Sequence, residues 1–455
     1  MSSSARVTRR WRREGGRKLF FPPCGERCPG GADGGCGASR RALAARAHPL
    51  PCPSPQGGGK LTLLEIPSVK SEAWRWSDLS SLPQIMARQP SGTVPTALPW
   101  IACALPGPRL VFVDGRLAAE QSDLGTIEIG AIEAQHGEHA LSRLVGREGW
   151  RLHLGQHHAP QGLVQIIHVS TGGADHLPAE IVLAEDAQAS VVETFVGEGW
   201  INRLSHFSLA KGARLMLSRR LLGSGGYVSL HDRASVGQGA SLVLTTLGAG
   251  ASDTRLDGHF TIAGDAGFVE VGGALLGRCK QRHDANLVLR HDAVAGMSRQ
   301  VWRSVADEQA TCSVAARVEV ARGAQKTDGE QSLKGLLLAR TATINAKPEL
   351  EIFADDVKCA HGATVGELDR NALFYLASRG VPVAEARALL TQAFVADAID
   401  RIGEEAVRDA FHADAMAWLA HKPLPFRGGV GVGAVSERSA VSTSPTPVPS
   451  PEGEG

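Results

Sequence analysis

Between residues 151 and 365 the chain is built from short apolar runs punctuated by small turns. The stretches 163–169, 179–183 and 190–196 are rich in Val, Ile, Leu and Thr, and Gly, Ala and Asp separate them. Runs of that length and composition predict β-strands, and no helical period interrupts them. A turn in which a small residue precedes an apolar run recurs at nearly even intervals, at Ala189, Ala213, Ala240, Ala266 and Ala293. A strand-built period of this length predicts a solenoid, whose coils bury their apolar faces only by stacking on one another. The same spacing is compatible with an antiparallel sandwich of regular hairpins.

The flanks read differently. Residues 1–60 are Gly-, Pro- and Arg-rich without apolar periodicity, which predicts a disordered extension. Residues 61–150 predict a small α/β region. It has a helical turn with aromatic anchors at Glu72-Ala73-Trp74-Arg75-Trp76, a strand at 110–113 ending in the turn Asp114-Gly115, and a helical segment over 131–144. Residues 366–422 turn helical. A first helix holds Leu373-Phe374-Tyr375-Leu376, with Asp369 as cap and Gly380 as stop. A second has Pro382 near its first turn and an apolar stripe of Leu389, Leu390, Ala393, Phe394, Ile399 and Ile402, ended by Gly403. A third covers 404–421, with Val407, Phe411, Ala415, Trp418 and Leu419 on one side. Two short helices appended to a solenoid have little core of their own, so their apolar face is expected to meet a partner. Residues 423–455 are Gly-, Ser- and Pro-rich and predict a disordered tail. The fold class expected is mainly β: a solenoid core at 151–365 between a small α/β region and a helical arm.

Composition narrows the function classes. A net charge of +1 over 455 residues gives no global pull towards nucleic acid or an anionic membrane. The 53 glycines and an aromatic content of 5% suit a fold with many turns. No uninterrupted apolar stretch reaches the ~18 residues of a membrane span. The basic start of the chain (Arg6, Arg9, Arg10, Arg12, Arg13) lacks the apolar segment of a signal peptide, because Leu19-Phe20-Phe21 stops at Pro22-Pro23. A cytoplasmic protein with reduced thiols is therefore expected. Cys24, Cys28, Cys36 and Cys52 cluster in the N-terminal stretch, where nothing ordered would aim them at zinc. Cys103, Cys279, Cys312 and Cys359 lie in the body, and Cys279 and Cys312 are expected to be small core residues.

The chain has no phosphate-binding loop, dinucleotide fingerprint or nucleophile elbow. Reactive side chains are densest over 349–369. If residues 357–361 are extended, Cys359 and His361 share one side of a strand. A thiolate beside an imidazole can hold iron, copper or zinc, and Lys358 is expected to lower the thiol pKa. Two ligands cannot close a tetrahedral site, so a second chain would have to complete it. The plainer reading is a buried cysteine and a hydrogen-bonded histidine at a strand-to-helix junction. His153, His157 and His158 precede Pro160 in a loop-like stretch, and Asp355-Asp356 reads as the turn before the Cys/His strand. Acids between 180 and 350 look scattered, which argues against a β-solenoid carbohydrate-active enzyme. A self-contained Cys/His metalloenzyme is a further alternative.

Several separated motifs then converge. Pro348-Glu349-Leu350-Glu351-Ile352, Ala354-Asp355-Asp356-Val357-Lys358-Cys359, His361-Gly362-Ala363-Thr364-Val365-Gly366, Leu368-Asp369, Leu373-Phe374-Tyr375-Leu376 and Ser378-Arg379-Gly380 together resemble the C-terminal signature of the SufB/SufD family. Upstream, Ala324-Gln325-Lys326-Thr327-Asp328 with Gln331, His283-Asp284, His291, Ser298-Arg299-Gln300 and the element from Lys70 to Leu79 are similar to the same family, in the same order. The resemblance covers roughly residues 66–420. Gly362 follows His361 where the SufB branch carries Glu, so the chain is more similar to the SufD branch. Three places depart from the family: residues 1–60, Trp76 where Tyr is usual, and Ser332 where many relatives carry Asn.

The resemblance implies a right-handed parallel β-helix acting as a non-catalytic scaffold in iron–sulfur cluster assembly. It implies pairing with SufB near the C-terminal end of the solenoid. It also implies docking of the ATPase SufC on the helical arm, through Leu373, Phe374, Leu389, Leu390 and Phe394. A nascent iron–sulfur cluster would be shared with SufB, with His361 as a ligand and Cys359 beside it. Whether a reduced flavin takes part in the complex stays open.

Overall fold

The computed structural model describes residues 66–67, 69–101, 105–133 and 139–420. The expectations for residues 1–60 and 423–455, and those for Cys24, Cys28, Cys36, Cys52 and Cys103, lie outside the described residues. Among those described, no helix is long and apolar enough to cross a membrane.

Successive strands alternate between two sheets, one of ten strands and one of nine. Strand n pairs in parallel with strand n+2 from the fifth strand onward, so each coil contributes one strand to each sheet. This is a β-solenoid, and the sandwich reading is set aside by the parallel pairing. The register is unbroken: Arg214, Ser241, Phe268, Met297, Asp328 and Lys358 stack on one another, one from each coil. The solenoid's sheets begin upstream of the apolar-run region. Arg109–Val113 pairs in parallel with Val164–Ser170, and Glu148–Leu154 with Ala174–Leu183.

The repeat is carried by a backbone feature more than by a residue type. Two positions before Gln188, Arg214, Ser241, Phe268, Met297 and Asp328, the residues Asp186, Gly212, Gly239, Ala266, Ala295 and Lys326 all have a positive φ, between 55° and 68°. The N–H of each donates to a carbonyl of the next coil, from Asp186 onto Lys211 to Lys326 onto Asp356. Left-handed backbone is cheap for Gly and costs about 1 kcal/mol or more for other residues. Stacking of the turns supplies the bonds that hold it. Ala213 and Ala240 are true equivalents in this register. Ala189, Ala266 and Ala293 fall out of phase with them, because the turns absorb insertions.

Side chains of one parity fill the space between the sheets, among them Val191, Phe207, Leu217, Leu244, Phe260 and Val318. Each such burial contributes about 1.5–3 kcal/mol. The outer face of the second sheet is covered by the 3-10 turn Glu72–Trp74 and by α1 (Leu82–Met86), through Trp74, Leu79, Leu82 and Ile85 on Trp200 and Tyr227. The helix expected over 131–144 is not found among the described residues of that stretch. Ala131 closes the strand Ile127–Ala131, which pairs with Glu148–Leu154, and Ser142–Leu144 is a single 3-10 turn.

The helical arm consists of α2 (Arg370–Ser378), α3 (Val383–Ile399) and α4 (Glu405–Leu419). The Asp369 carboxylate accepts from the Asn371 N–H at 2.8 Å, and Gly380, at φ +84°, ends the first helix as expected. The arm does not lack a core. Val395, Ile399, Val407, Phe411, Ala415 and Trp418 pack on the outer face of the first sheet, against Leu222, Leu247, Leu276 and Val305. The face of α3 that is buried carries Ala386, Thr391, Val395, Ala398 and Ile399. The expected stripe through Leu389 and Leu390 is turned by roughly one position, which leaves Leu389 exposed.

Candidate functional site

Among the described residues the last coil has no successor. Its two strands, Thr343–Ile352 and Lys358–Glu367, are the edges of the second and first sheets. Every residue of Lys358–Glu367 is exposed except Cys359, which is half-buried. An edge strand presents a row of free N–H and C=O groups, which natural proteins usually blunt with Pro, charge or a cover. Pro348 sits in the middle of the second-sheet edge, where Pro is tolerated. The first-sheet edge has charge only at its ends, Lys358 and Glu367, and carries Cys-Ala-His-Gly-Ala-Thr-Val-Gly between them. Ile352, Phe353 and Val365 are also exposed at this end, beside a cleft of about 510 Å³ lined by Trp76, Ile344, Ala346 and Val365.

Cys359 and His361 stack in register on Gly329 and Gln331, both buried on the inner face of the first sheet. The two side chains therefore share that face, as their spacing predicts, at the point where the solenoid interior opens. Cys359 packs against the last of the inner core. Burial pushes its thiol pKa up; an N–H of Gly329 opposes this and the Asp328 carboxylate adds to it. Lys358 does not lower it, contrary to expectation, because consecutive strand residues face opposite sides. The thiol is thus held protonated until a metal or a cation displaces the proton. His361 is exposed. No three His, Cys, Asp or Glu side chains converge to hold a metal among the described residues. Two such side chains alone cannot close a tetrahedral metal site.

The solenoid interior holds charges that sequence reading missed. Acids expected to be scattered are brought together on successive coils. Arg219 bonds Glu193 at 2.8 Å and Asp232 at 2.5 and 2.9 Å. Glu193 meets His168 at 3.2 Å, and Arg203 joins His168 at 2.9 Å to Asp175. All six side chains are at most 5% exposed. Desolvation drives the His168 imidazole down to about 4 and raises Asp175 and Asp232 above the usual carboxylate range. Against the same desolvation, Arg219 and the His168 contact hold Glu193 down to about 2. The visible signal is a charge where alternation demands an apolar residue, as at Glu193 between Val191 and Phe195 or Arg219 between Leu217 and Leu221. These carboxylates are sealed inside the solenoid.

The remaining candidates divide. Cys312 is buried and its pKa is pushed up to about 12 by desolvation, as a core thiol should be. Cys279 is exposed on a turn at φ +54°, contrary to expectation, because it falls in a coil-to-coil connection. His153 meets Glu180 at 2.8 Å and His157 meets Asp186 at 3.5 Å, so these histidines pair with acids of the next coil and do not converge. In the turn before the Cys/His strand the Asp356 carbonyl accepts from the Lys326 N–H, and the Asp356 N–H donates to the Gln325 side-chain oxygen. On the arm, Phe374 is 76% and Leu389 43% exposed, while Leu373, Leu390 and Phe394 are half-buried. The arm is tied to the first sheet by Arg220 on Asp414 at 2.6 and 3.0 Å, by Arg303 on Asp397, and by Arg278 stacked 4.2 Å over Trp418.

Comparison with known proteins agrees with this architecture. Residues 168–394 match the family model described as SUF system FeS cluster assembly, SufBD core domain. The chain is 26% identical over 374 residues to the Escherichia coli iron–sulfur cluster assembly protein SufD, covering 75% of this chain and 87% of that one. A Synechocystis SufBD family protein is 39% identical over 128 residues, 28% of each chain. Bacillus subtilis SufD is 29% identical over 156 residues, 34% of this chain and 36% of its own. The chain belongs to the SufB/SufD family of the SUF iron–sulfur cluster assembly system, on its SufD branch.

Proposed function

We propose that the chain is a non-catalytic scaffold subunit that pairs with a SufB-type chain along the strand Lys358–Glu367 and shares a nascent cluster with it through His361 and Cys359. The carrying observation is the edge strand that none of the described residues covers. A full strand ends the solenoid, uncharged between Lys358 and Glu367, with a thiol and an imidazole on the face that a docking chain would cover. A docked strand adds main-chain hydrogen bonds along the edge, and its own side chains complete the ligand set. The cluster is cargo here. Ligands divided between the two chains hold it only while the interface is closed, which lets it leave when the interface opens.

An ATPase of the SufC type would dock on the arm, where Phe374 and Leu389 stand out from the surface. Because α4 is fixed to the first sheet by the buried Arg220–Asp414 pair and α3 by Arg303 on the exposed Asp397, a pull on the arm reaches the same sheet whose edge carries Cys359 and His361. The proposed setting is the cytoplasm. His361→Ala in the full complex tests the reading. Expected is an assembled complex that no longer matures clusters. Normal cluster transfer by His361→Ala would overturn the ligand assignment, and loss of the complex itself would show a structural role instead.

A further inference from the structure

Directly beneath His361 lies Gln331, on the penultimate strand of the first sheet, in register with it and on the same inner face. Gln331 is 1% exposed. Its Nε2 donates across the interior to the Ala316 carbonyl of the other sheet at 2.8 Å, which fixes the plane of the amide. Its Oε1 is buried and has no hydrogen-bond partner among the described residues. A buried amide oxygen left unpaired costs about 1–3 kcal/mol, so such an atom calls for an explanation. One coil deeper, Gln300 repeats the arrangement, with Nε2 on the Arg317 carbonyl at 3.2 Å and Oε1 unpaired. Its neighbour on the outer side is Gln331 itself, whereas the neighbour of Gln331 is a histidine.

Adjacent parallel strands lie about 4.8 Å apart, a distance that a glutamine amide and an imidazole bridge easily. A neutral imidazole that binds a metal through one nitrogen donates its N–H from the other, and the acceptor of that N–H decides which nitrogen is free. In the isolated chain His361 is exposed, so that solvent water can reach its ring. A docked chain removes that water and leaves the Gln331 oxygen as the acceptor beneath the ring.

We infer that Gln331 is the positioning residue for His361, accepting one ring N–H through its side-chain oxygen and so turning the other ring nitrogen outward to the shared cluster. This rests on the reading of His361 as a ligand. An amide suits the role better than a carboxylate would in the free chain, because it fixes the ring without adding a buried charge.

The test separates the acceptor from the bond to Ala316. Gln331→Met removes both the acceptor and the donor, whereas Gln331→Glu keeps an acceptor and loses the donor. In the complex with the SufB-type chain, Co2+ titration followed by its visible absorption reads the His361-dependent site. Gln331→Met is expected to weaken Co2+ binding about 10- to 100-fold, the usual cost of losing an outer partner of a metal-bound histidine. Gln331→Glu should bind within about threefold of the parent, or tighter, although both variants lose the Ala316 bond alike. Imidazole nitrogen NMR of the full chain in the complex should show one His361 tautomer in the parent and in Gln331→Glu, and a mixture in Gln331→Met. Equal weakening by both variants, or parent-like binding and a single tautomer in Gln331→Met, would overturn the positioning role while leaving His361 a ligand. If His361→Ala itself leaves Co2+ binding unchanged, the ligand reading falls and this inference falls with it.

Discussion

The interior coils and the last coil are written in the same strand pattern, yet they have opposite fates. In the interior, inward positions are covered on both sides by the next coil, and even six charged or titratable groups are sealed there because they satisfy one another. In the last coil the same inward positions carry Cys359, His361, Ala363 and Val365, and among the described residues no further coil covers them. A solenoid normally ends in a capping repeat with a polar outer face. Among the described residues no such cap follows, and Cys359 and His361 stand at the open end. The strand pattern specifies what stacks, and the end of the stack is where the proposed partner would add to it.

Breaking the interior should have the largest effect on the fold. Arg219→Met strands Glu193 and Asp232 without their cation in a dry site. Removing one member of a buried ionic network costs about 3–5 kcal/mol. The expected result is a strongly lowered urea midpoint or loss of soluble protein. A midpoint within error of the parent would mean that water reaches the interior and that the two regions differ less than their burial implies.

A pH series sharpens the same contrast. His283 faces inward and is 1% exposed, bonded to Thr254 at 2.8 Å and near the Leu276 carbonyl at 3.2 Å. Desolvation holds it down to about 4. Unfolded, it titrates near ~6.5, so between these values only the unfolded chain takes up the proton, and stability falls as pH drops through that window. From about pH 7 to about pH 5 the loss from this one group is about 2 kcal/mol. His283→Asn should be less stable at neutral pH, but it should lose about 2 kcal/mol less over the same interval by urea unfolding.

Much of this was legible in the chain. Alternating apolar runs announced the strands, the even spacing of small turns announced the coils, and Asp369, Pro382 and Gly380 marked the arm. The phase of the repeat was not legible. Its marker is a left-handed backbone position held by Asp, Gly, Gly, Ala, Ala and Lys in turn, and only two of these residue types advertise it. The interior ion network was hidden for a related reason. Its members come from different strands and meet only once strand register is known. The face of α3 was misassigned because Ala386, Thr391 and Ala398 bury as well as leucine does when the sheet beneath them is close.

A smaller effect is expected on the arm, where the same division recurs between α3–α4, fixed to the sheet, and α2, which buries no residue. Asp369→Ala removes the cap of α2 and should cost about 1 kcal/mol of local helix stability. Hydrogen exchange should quicken over 370–378 and stay unchanged in the solenoid. If the global midpoint moves as well, α2 is coupled to the core more tightly than its exposure suggests.

The smallest change in stability is expected at the open end, where the consequence for assembly is greatest. Val365 is 44% exposed on the inner face of the last strand, so Val365→Lys leaves no buried charge and no cavity in the isolated chain. Its stability should stay within about 0.5 kcal/mol of the parent. In a docked state the same lysine sits where a partner strand and its side chains would close the end, and desolvating that ammonium without a counter-ion is costly. Association with a SufB-type chain should weaken at least about tenfold, which corresponds to about 1.4 kcal/mol. Thr364→Lys, one position away on the opposite face, should weaken it less, because that side chain can stay in solvent while the backbone pairs. Calorimetric titration of the two variants against the same partner decides the matter: equal affinities for both would place the docking surface elsewhere than on this edge.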